Sequence, residues 1–162
     1  MRSAIVEATS ILAPGIAHTK PRRISTVFSQ PEIKNRLQGY GLEDMTWEGS
    51  PAISSYLLWV SRRRAISGVS LRPEIPFYLA GREDPQTIKV TLSFLKRRFN
   101  LSLDLGEFDL EIKYQNEKIS QLRREDAEID KYISMLENGQ KLEEEEQLKL
   151  AREIYELLRK GD

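Results

Sequence analysis

The character of this 162-residue sequence changes near residue 101, and the change limits the folds that are open to it. Before that point, short apolar runs alternate with turn-forming residues, whereas the remainder has the periodicity of helices. Runs rich in β-branched residues predict strands at 3–12 and 23–28. Strands that alternate with helices favour parallel β-α units. We therefore expect an α/β domain over residues 1–101, with a partial parallel sheet flanked by helices, and a helical appendage over residues 102–162.

Capping and turn residues indicate three helices in the α/β part. Pro31 suits the first position of a helix that Ser29 or Gln30 caps, and Gly39 and Gly41 suit its end. A second helix is predicted over residues 51–65, and a third begins at Asp84-Pro85. The predicted apolar face of the second helix consists of Ile53, Tyr56, Leu57 and Val60, and that of the third consists of Ile88, Thr91, Leu92 and Leu95.

The last strand of the α/β part is predicted to be short. Residues 68–71 are expected to form it, and the proline-containing segment 72–76 is expected to form a turn. About three strands make a thin sheet, and a parallel strand needs neighbours on both sides. We therefore expect the chain to correspond to the C-terminal half of a longer domain.

The helical part contains an apolar seam with a period of about 3.5 residues, which is typical of packed helices. The seam is expected to run along one long helix that ends at Asn138-Gly139. A second helix begins in Glu143–Glu146, so the two form an antiparallel hairpin. The seam either joins these two helices or packs them on a neighbouring subunit. Its polar positions are Gln115 and Asp126, and the residues assigned to an oligomer seam are Phe108, Ile112, Ile119, Leu122, Ile129, Ile133 and Leu136.

Composition excludes several classes of function. Lysine plus arginine equals aspartate plus glutamate, 25 of each, so net charge favours neither nucleic acid nor an anionic membrane as a partner. The absence of cysteine excludes disulfides, thiolate zinc sites and a cysteine nucleophile. No apolar run approaches the roughly 20 residues of a membrane helix, and no signal-peptide pattern is present. We expect a cytoplasmic protein with no cofactor and no metal site.

The only histidine, His18, lies in a loop bounded by proline and glycine after the first predicted strand. Ligand sites form at strand ends in α/β sheets, so His18 is a candidate general base, and Lys20, Arg22 and Arg23 are candidate anion-binding residues. Ordinary loop and capping roles are the commoner explanation for these residues. The run Arg62–Arg64 suits a helix end, where cations offset the helix dipole, and predicts no nucleic-acid surface. The sequence has no nucleophile elbow, GK[ST] loop or GxGxxG motif, so the prediction leans away from an enzyme.

Several segments, in order, resemble the proteasome assembly chaperone two family. Residues Ala17-His-Thr-Lys-Pro21 resemble its Pro-His-Thr-Arg-Pro loop, and Trp47-Glu-Gly-Ser-Pro51 resembles its Tyr-x-Gly-Pro-x segment. The stretch 68–80 resembles its Gly-Val-x-Ser-Leu-Trp-Ala-x-Val-Pro-His-Tyr-Val-Ala motif, with arginine and phenylalanine where the family has tryptophan and histidine. Asp84-Pro85, the following helix and Asn100-Leu-Ser-Leu-Asp-Leu105 resemble the next family motifs.

The resemblance implies a fold similar to the nucleoside phosphorylases, a C-terminal helical appendage and self-association into small rings. It also implies a chaperone or binder of proteasome subunits, as the best-understood family members are. We therefore predict a non-enzymatic, oligomeric module that binds a protein partner through loops at the strand ends. The predicted binding residues are His18, Lys20, Arg22, Arg72, Pro73, Phe77 and Tyr78, of which the last three are the expected partner contacts.

Two alternatives remain open at this point. A phosphorylase-like or ligase-like enzyme would bind phosphate or a nucleotide through His18, Lys20 and Arg22, by analogy of fold. A coiled-coil scaffold would use the helical seam as its interaction surface.

Overall fold

A computed structural model describes residues 4–37, 39–45 and 53–159. The Trp47–Pro51 motif and the first two residues of the predicted helix 51–65 lie outside the described residues. The chain divides into two compact units, one formed by the residues up to Ile11 with Arg23–Glu74, and the other by Leu12–Arg22 with the residues from Ile75 onward. This division falls at residue 74 and not near residue 101, because the helix that follows residue 84 packs on the helices after it.

The first unit is built on a mixed sheet. The strands of the described chain are β1 (Ala4–Ala8), β2 (Ile11–Ala13), β3 (Ile24–Phe28), β4 (Leu42–Asp44) and β5 (Ser67–Pro76). Four of them pair in the order β1-β5-β3-β4, and the short β2 also pairs with β5. The β1-β5 and β3-β4 pairs are parallel, whereas β3 and β5 are antiparallel. The prediction of a parallel sheet is therefore wrong for the central pair, because β5 runs back beside β3 in the opposite direction.

β5 extends through the segment 72–76 that the sequence predicted to be a turn. The amide of Glu74 donates to the carbonyl oxygen of Arg23 at 2.9 Å. The nitrogen of Pro73, one residue earlier, therefore points to the other side of the strand. The register with β1 stops at Leu71, before this position. Because its missing N–H faces away from β3, Pro73 costs no hydrogen bond between β3 and β5.

The first unit also contains α1 (Pro31–Leu37) and α2 (Ile53–Arg63). α1 begins at Pro31 as predicted, and Gly39 after it has a φ of +89°, a left-handed conformation that glycine adopts without strain.

α2 buries a different face from the one that the apolar pattern predicted. Its buried residues are Ser54, Leu58 and Ser61, whereas Ile53 and Tyr56 of the predicted core face are 81% and 62% exposed. Small side chains let a helix lie close to a sheet. The approach is tight at residue 68, where a Cβ on the glycine would lie 3.0 Å from a terminal methyl group of Leu58.

The second unit is helical. It contains a short 3₁₀ turn, Phe77–Leu79, followed by α3 (Pro85–Phe99), α4 (Glu107–Glu125), α5 (Ala127–Glu137) and α6 (Glu144–Arg159). On the predicted face of α3, Ile88, Thr91, Leu92 and Leu95 are partly buried, and Phe94 is the deeply buried apolar residue. No helix in the described ranges has the length and apolar character needed to cross a membrane.

The predicted single long helix is two helices, because Asp126 ends α4 and caps α5. Its backbone is extended, and its Oδ1 accepts hydrogen bonds from the amides of Glu128 at 2.8 Å and Ile129 at 3.2 Å. Such a bond satisfies amides at the start of a helix that have no partner inside it. The expected two-helix hairpin is therefore corrected to three helices, and Asp126 is a cap instead of a seam residue.

The seam residues contribute to the core of the second unit. Ile119, Ile129, Ile133 and Leu136 have at most 1% exposure and share one core with residues of α6 and with Tyr78 and Leu79. The other three residues of the seam, Phe108, Ile112 and Leu122, are partly buried. Packing within one chain thus accounts for the four buried residues of the seam, as the first of the two alternatives requires.

Candidate functional site

The strand-end loop of the second unit holds His18 in a buried position. The backbone amide of His18 donates to the Tyr78 Oη at 2.6 Å, and Nδ1 of the ring lies 2.9 Å from the same oxygen. His18 and Tyr78 are 2% and 3% exposed. Because the phenol oxygen already accepts from the amide, its own hydrogen is free to bond Nδ1, which favours the tautomer protonated on Nε2. Two residues of the predicted binding set thus come together, but inside the unit.

Burial lowers the pKa of His18 to about 4, and the nearby cations Arg123 and Arg22 add to this effect. Burial also raises the pKa of Tyr78. Both side chains are therefore uncharged at neutral pH, and they form a neutral hydrogen-bonded pair. An imidazole with such a low pKa is a weak base, and this one faces protein instead of solvent. The arrangement suits a structural role for His18 better than general base catalysis.

Arg22 is held by Asp84, the residue before α3. Its Nε donates to Oδ2 of Asp84 at 2.8 Å, and both side chains are fully buried. Nη1 donates to the carbonyl oxygen of Lys20 at 2.8 Å, and Asp84 also accepts from the hydroxyl of Thr87 at 2.6 Å. The assignment of Arg22 to anion binding is therefore corrected, because its guanidinium instead ties the strand-end loop to the start of α3.

A second ion-pair network joins the same loop to the helices. The hydroxyl of Thr19 donates to Glu137 at 3.0 Å. Glu137 also accepts from Arg123 at 3.0 Å, and Arg123 in turn donates to Asp130 at 2.7 Å. Sequence reasoning missed Asp84 and Glu137 as partners of the loop, because they lie 62 and 118 residues along the chain from the residues that they bind.

The other predicted binding residues are mostly not available to a partner. Pro73 and Tyr78 are buried, so their assignment as contact residues is corrected. Phe77 is partly buried and packs against the core of the second unit. In the first unit, the guanidinium of Arg72 donates a hydrogen bond to the hydroxyl of Ser54. Among the predicted binding residues, Lys20 of the second unit is the exposed one.

A cleft of about 760 Å³ lies in the second unit, between the start of α3, α4 and the end of α6. Arg82 in its wall donates to the Leu158 carbonyl at 2.9 Å, and the Lys118 ammonium lies 4.4 Å from the ring centre of Tyr114. Glu83 and Glu111 complete a wall of mixed charge. Over the described part of the chain, no group of three or more histidine, aspartate or glutamate side chains is placed to hold a metal ion. The cleft is thus lined by side chains of both charges.

We expect the protein to lose stability as the pH falls from 6.5 to about 5, by about 1.5 kcal/mol in the free energy of unfolding. His18 gains a proton near pH 6.5 in the unfolded chain, whereas in the folded chain it stays neutral until about pH 4, so protons favour the unfolded state. Urea unfolding across this interval measures the slope. The variant His18→Asn is the control, because it removes the only histidine, and a wild-type slope no steeper than that of the variant would contradict the prediction.

Comparisons with known proteins agree with this fold. The sequence profile of the PAC2 family matches residues 3–123. A PAC2 family protein from Streptomyces avermitilis has a similar crystal structure, with a TM-score of 0.65 and 23% identity over 74% of this chain and 49% of that chain. A proteasome-assembly chaperone homologue from Mycobacterium tuberculosis has a TM-score of 0.64 and 18% identity, over 81% of this chain and 54% of that one.

An archaeal proteasome activator from Pyrococcus furiosus, PbaB, has a TM-score of 0.57 and 20% identity over 75% of this chain and 51% of that chain. The chain thus spans about half the length of these solved structures. No match was found among proteins with curated descriptions. At such identities the structural likeness establishes the fold, and the profile match covers most of the sequence. It confirms the resemblance of the sequence motifs and shows that the chain belongs to the PAC2 family.

Proposed function

We propose that the chain is a protein-binding module of the proteasome assembly chaperone type, with no catalytic role of its own. The observation that carries the proposal is the exposure of large apolar side chains on α2, among them Ile53, Tyr56 and Trp59. Exposed apolar surface of this kind is typical of a site that a protein partner covers. PAC2 relatives described as a proteasome-assembly chaperone homologue and as a proteasome activator support proteasome subunits as the partner class. Self-association of the chain stays a prediction, and its solution mass tests it.

The enzyme alternative has less support, because the residues that it needs are engaged inside the unit. A phosphate or nucleotide site at the strand end would require His18, Lys20 and Arg22 to face the substrate. His18 is buried against Tyr78 and Arg22 is paired with Asp84, which leaves Lys20 as the exposed member of the three. A single exposed lysine is a weak anion site, since phosphate is usually held by several converging donors.

The test is native mass spectrometry of the chain purified from its own host. We expect a discrete complex that contains proteasome α-subunits, because the proposed function is direct binding. A chain that is free of α-subunits and carries phosphate or a nucleotide would overturn the proposal in favour of the enzyme. The variant Lys20→Ala separates two places of binding. Binding through α2 leaves the complex intact in this variant, whereas binding through the strand-end loop, as the sequence predicts for Lys20, weakens it.

A further inference from the structure

α2 exposes the apolar residues that a helix normally buries. Four large side chains, Ile53, Tyr56, Leu57 and Trp59, are between 39% and 81% exposed, and we call them the α2 surface. The opposite side, which faces the sheet, carries two serines and one leucine. The exposed parts of these side chains bury no apolar area, and so they do not contribute to the stability of the unit. Departures from local sequence rules of this kind are expected at functional sites.

The aromatic side chains of the α2 surface are ordered against each other. The rings of Tyr56 and Trp59 stack with centres 5.8 Å apart and an angle of 25° between their planes. The guanidinium of Arg63 lies 4.3 Å from the ring centre of Trp59. Tyrosine, tryptophan and arginine are the residues that most often dominate binding energy at protein interfaces. A surface already ordered in this way loses less conformational entropy when a partner binds.

The charge of α2 indicates the chemistry of that partner. The helix contains no aspartate or glutamate, and it leads into three exposed arginines, Arg62–Arg64. The exposed apolar residues of α4 differ, since Leu110 and Tyr114 lie among residues of both charges, such as Glu111 and Lys118. The α2 surface therefore combines an apolar patch with positive charge at one end. A partner surface that is complementary to it has an apolar patch with carboxylates at one end.

We propose that the α2 surface binds an acidic amphipathic segment of a protein partner. The apolar side chains of the segment lie on Tyr56 and Trp59, and its carboxylates pair with Arg62–Arg64. This inference rests on the proposed protein-binding function and adds to it a place and a partner chemistry. A protein partner is favoured over nucleic acid or membrane because the chain as a whole has no net charge, and so no long-range attraction to a polyanion. Guanidinium groups also suit carboxylates through paired hydrogen bonds.

The test uses the full chain and two short helical peptides that share one apolar stripe. One peptide has glutamates in its last turn and the other has lysines at the same positions. We expect the acidic peptide to bind about tenfold more tightly, because its carboxylates meet the arginines. Fluorescence anisotropy of labelled peptides measures both affinities, and the difference should shrink as salt is added.

Variants of exposed residues locate the contact without disturbing the fold. We expect Tyr56→Ala/Trp59→Ala to lose binding of both peptides, and the triple change of Arg62–Arg64 to glutamate to reverse the preference toward the lysine peptide. The matched control is Leu110→Ala/Tyr114→Ala on α4, which removes a comparable exposed apolar pair and should bind like wild type. Unchanged thermal unfolding of each variant confirms that it is folded.

The inference is overturned if neither peptide binds, if both bind equally, or if Tyr56→Ala/Trp59→Ala binds like wild type. It is also overturned if vesicles rich in phosphatidylserine, or a single-stranded oligonucleotide, bind more tightly than the acidic peptide and lose binding in the variant Tyr56→Ala/Trp59→Ala.

The proposed function is judged separately from the α2 surface. If wild type and Tyr56→Ala/Trp59→Ala capture proteasome α-subunits equally, the α2 assignment fails and the function stands. If the peptide preference holds and no α-subunits are captured, the proteasome assignment fails and the surface stands.

Discussion

Replacement of Arg22 by methionine is expected to lower the free energy of unfolding by about 3–5 kcal/mol. The guanidinium is the ion-pair partner of Asp84, and both side chains are fully buried. Methionine would leave the carboxylate buried beside an apolar chain, where desolvation of the negative charge is no longer compensated. Asp84 Oδ1 is already buried without a hydrogen-bond partner among the described residues, so no further donor is placed there to replace the guanidinium. Urea unfolding measures the loss.

Two controls separate the buried pair from a general effect of removing arginine. Arg159→Met removes a pair with Glu156 in which the arginine side chain is 59% exposed, and should change stability by less than about 1 kcal/mol. Arg22→Met/Asp84→Asn removes both buried charges and should be more stable than Arg22→Met alone, because no buried charge is left unpaired. A loss in Arg22→Met no larger than that in Arg159→Met would contradict the structural role of this pair.

Replacement of Ile133 by alanine is expected to lower the free energy of unfolding by about 2–5 kcal/mol. The side chain is fully buried in the core that α4, α5 and α6 share, so its truncation leaves a cavity within one chain. Since the packing of Ile133 is intramolecular, the loss of stability on its truncation should be independent of protein concentration. Thermal unfolding of the wild type and the variant at a range of concentrations measures the loss.

The matched control is Leu148→Ala, on the outer side of α6, where the side chain is 66% exposed. It should change stability by no more than about 0.5 kcal/mol, as is usual for surface substitutions. The intramolecular account is contradicted if the unfolding temperature of the wild type rises steeply with concentration and Ile133→Ala abolishes that rise. Such a result would place the seam between subunits.

The sequence predicts local features of this fold better than the way in which its elements meet. Pro31 and the glycines after it mark α1 correctly, because the preferences of proline and glycine are properties of the local backbone. The face of α2 is predicted wrongly, because periodicity shows which residues are apolar and not how closely the helix approaches the sheet. The end of α4 at Asp126 is missed for a related reason. A single polar residue in an apolar seam is compatible with a continuous helix and equally with a cap between two helices.

The sequence predicts which residues form part of the candidate site, but it does not predict their role. His18 and Tyr78 are both chosen from sequence, and the structure brings them within 2.9 Å. Their role differs from the predicted one, because burial depends on chain segments that no local pattern connects to the loop. The ion pair of Arg22 with Asp84 is missed for the same reason. The sequence indicates only that Asp84 begins a helix, and it does not show that a cation 62 residues away is the partner of Asp84.

Titration calorimetry with purified proteasome α-subunits and the purified chain tests most directly whether the chain is a protein-binding module that acts through α2. The account predicts saturable binding with a fixed stoichiometry, which Tyr56→Ala/Trp59→Ala weakens by about tenfold or more and Lys20→Ala leaves unchanged. Absence of binding by the wild type, together with binding of phosphate or a nucleotide that Lys20→Ala abolishes, would contradict it.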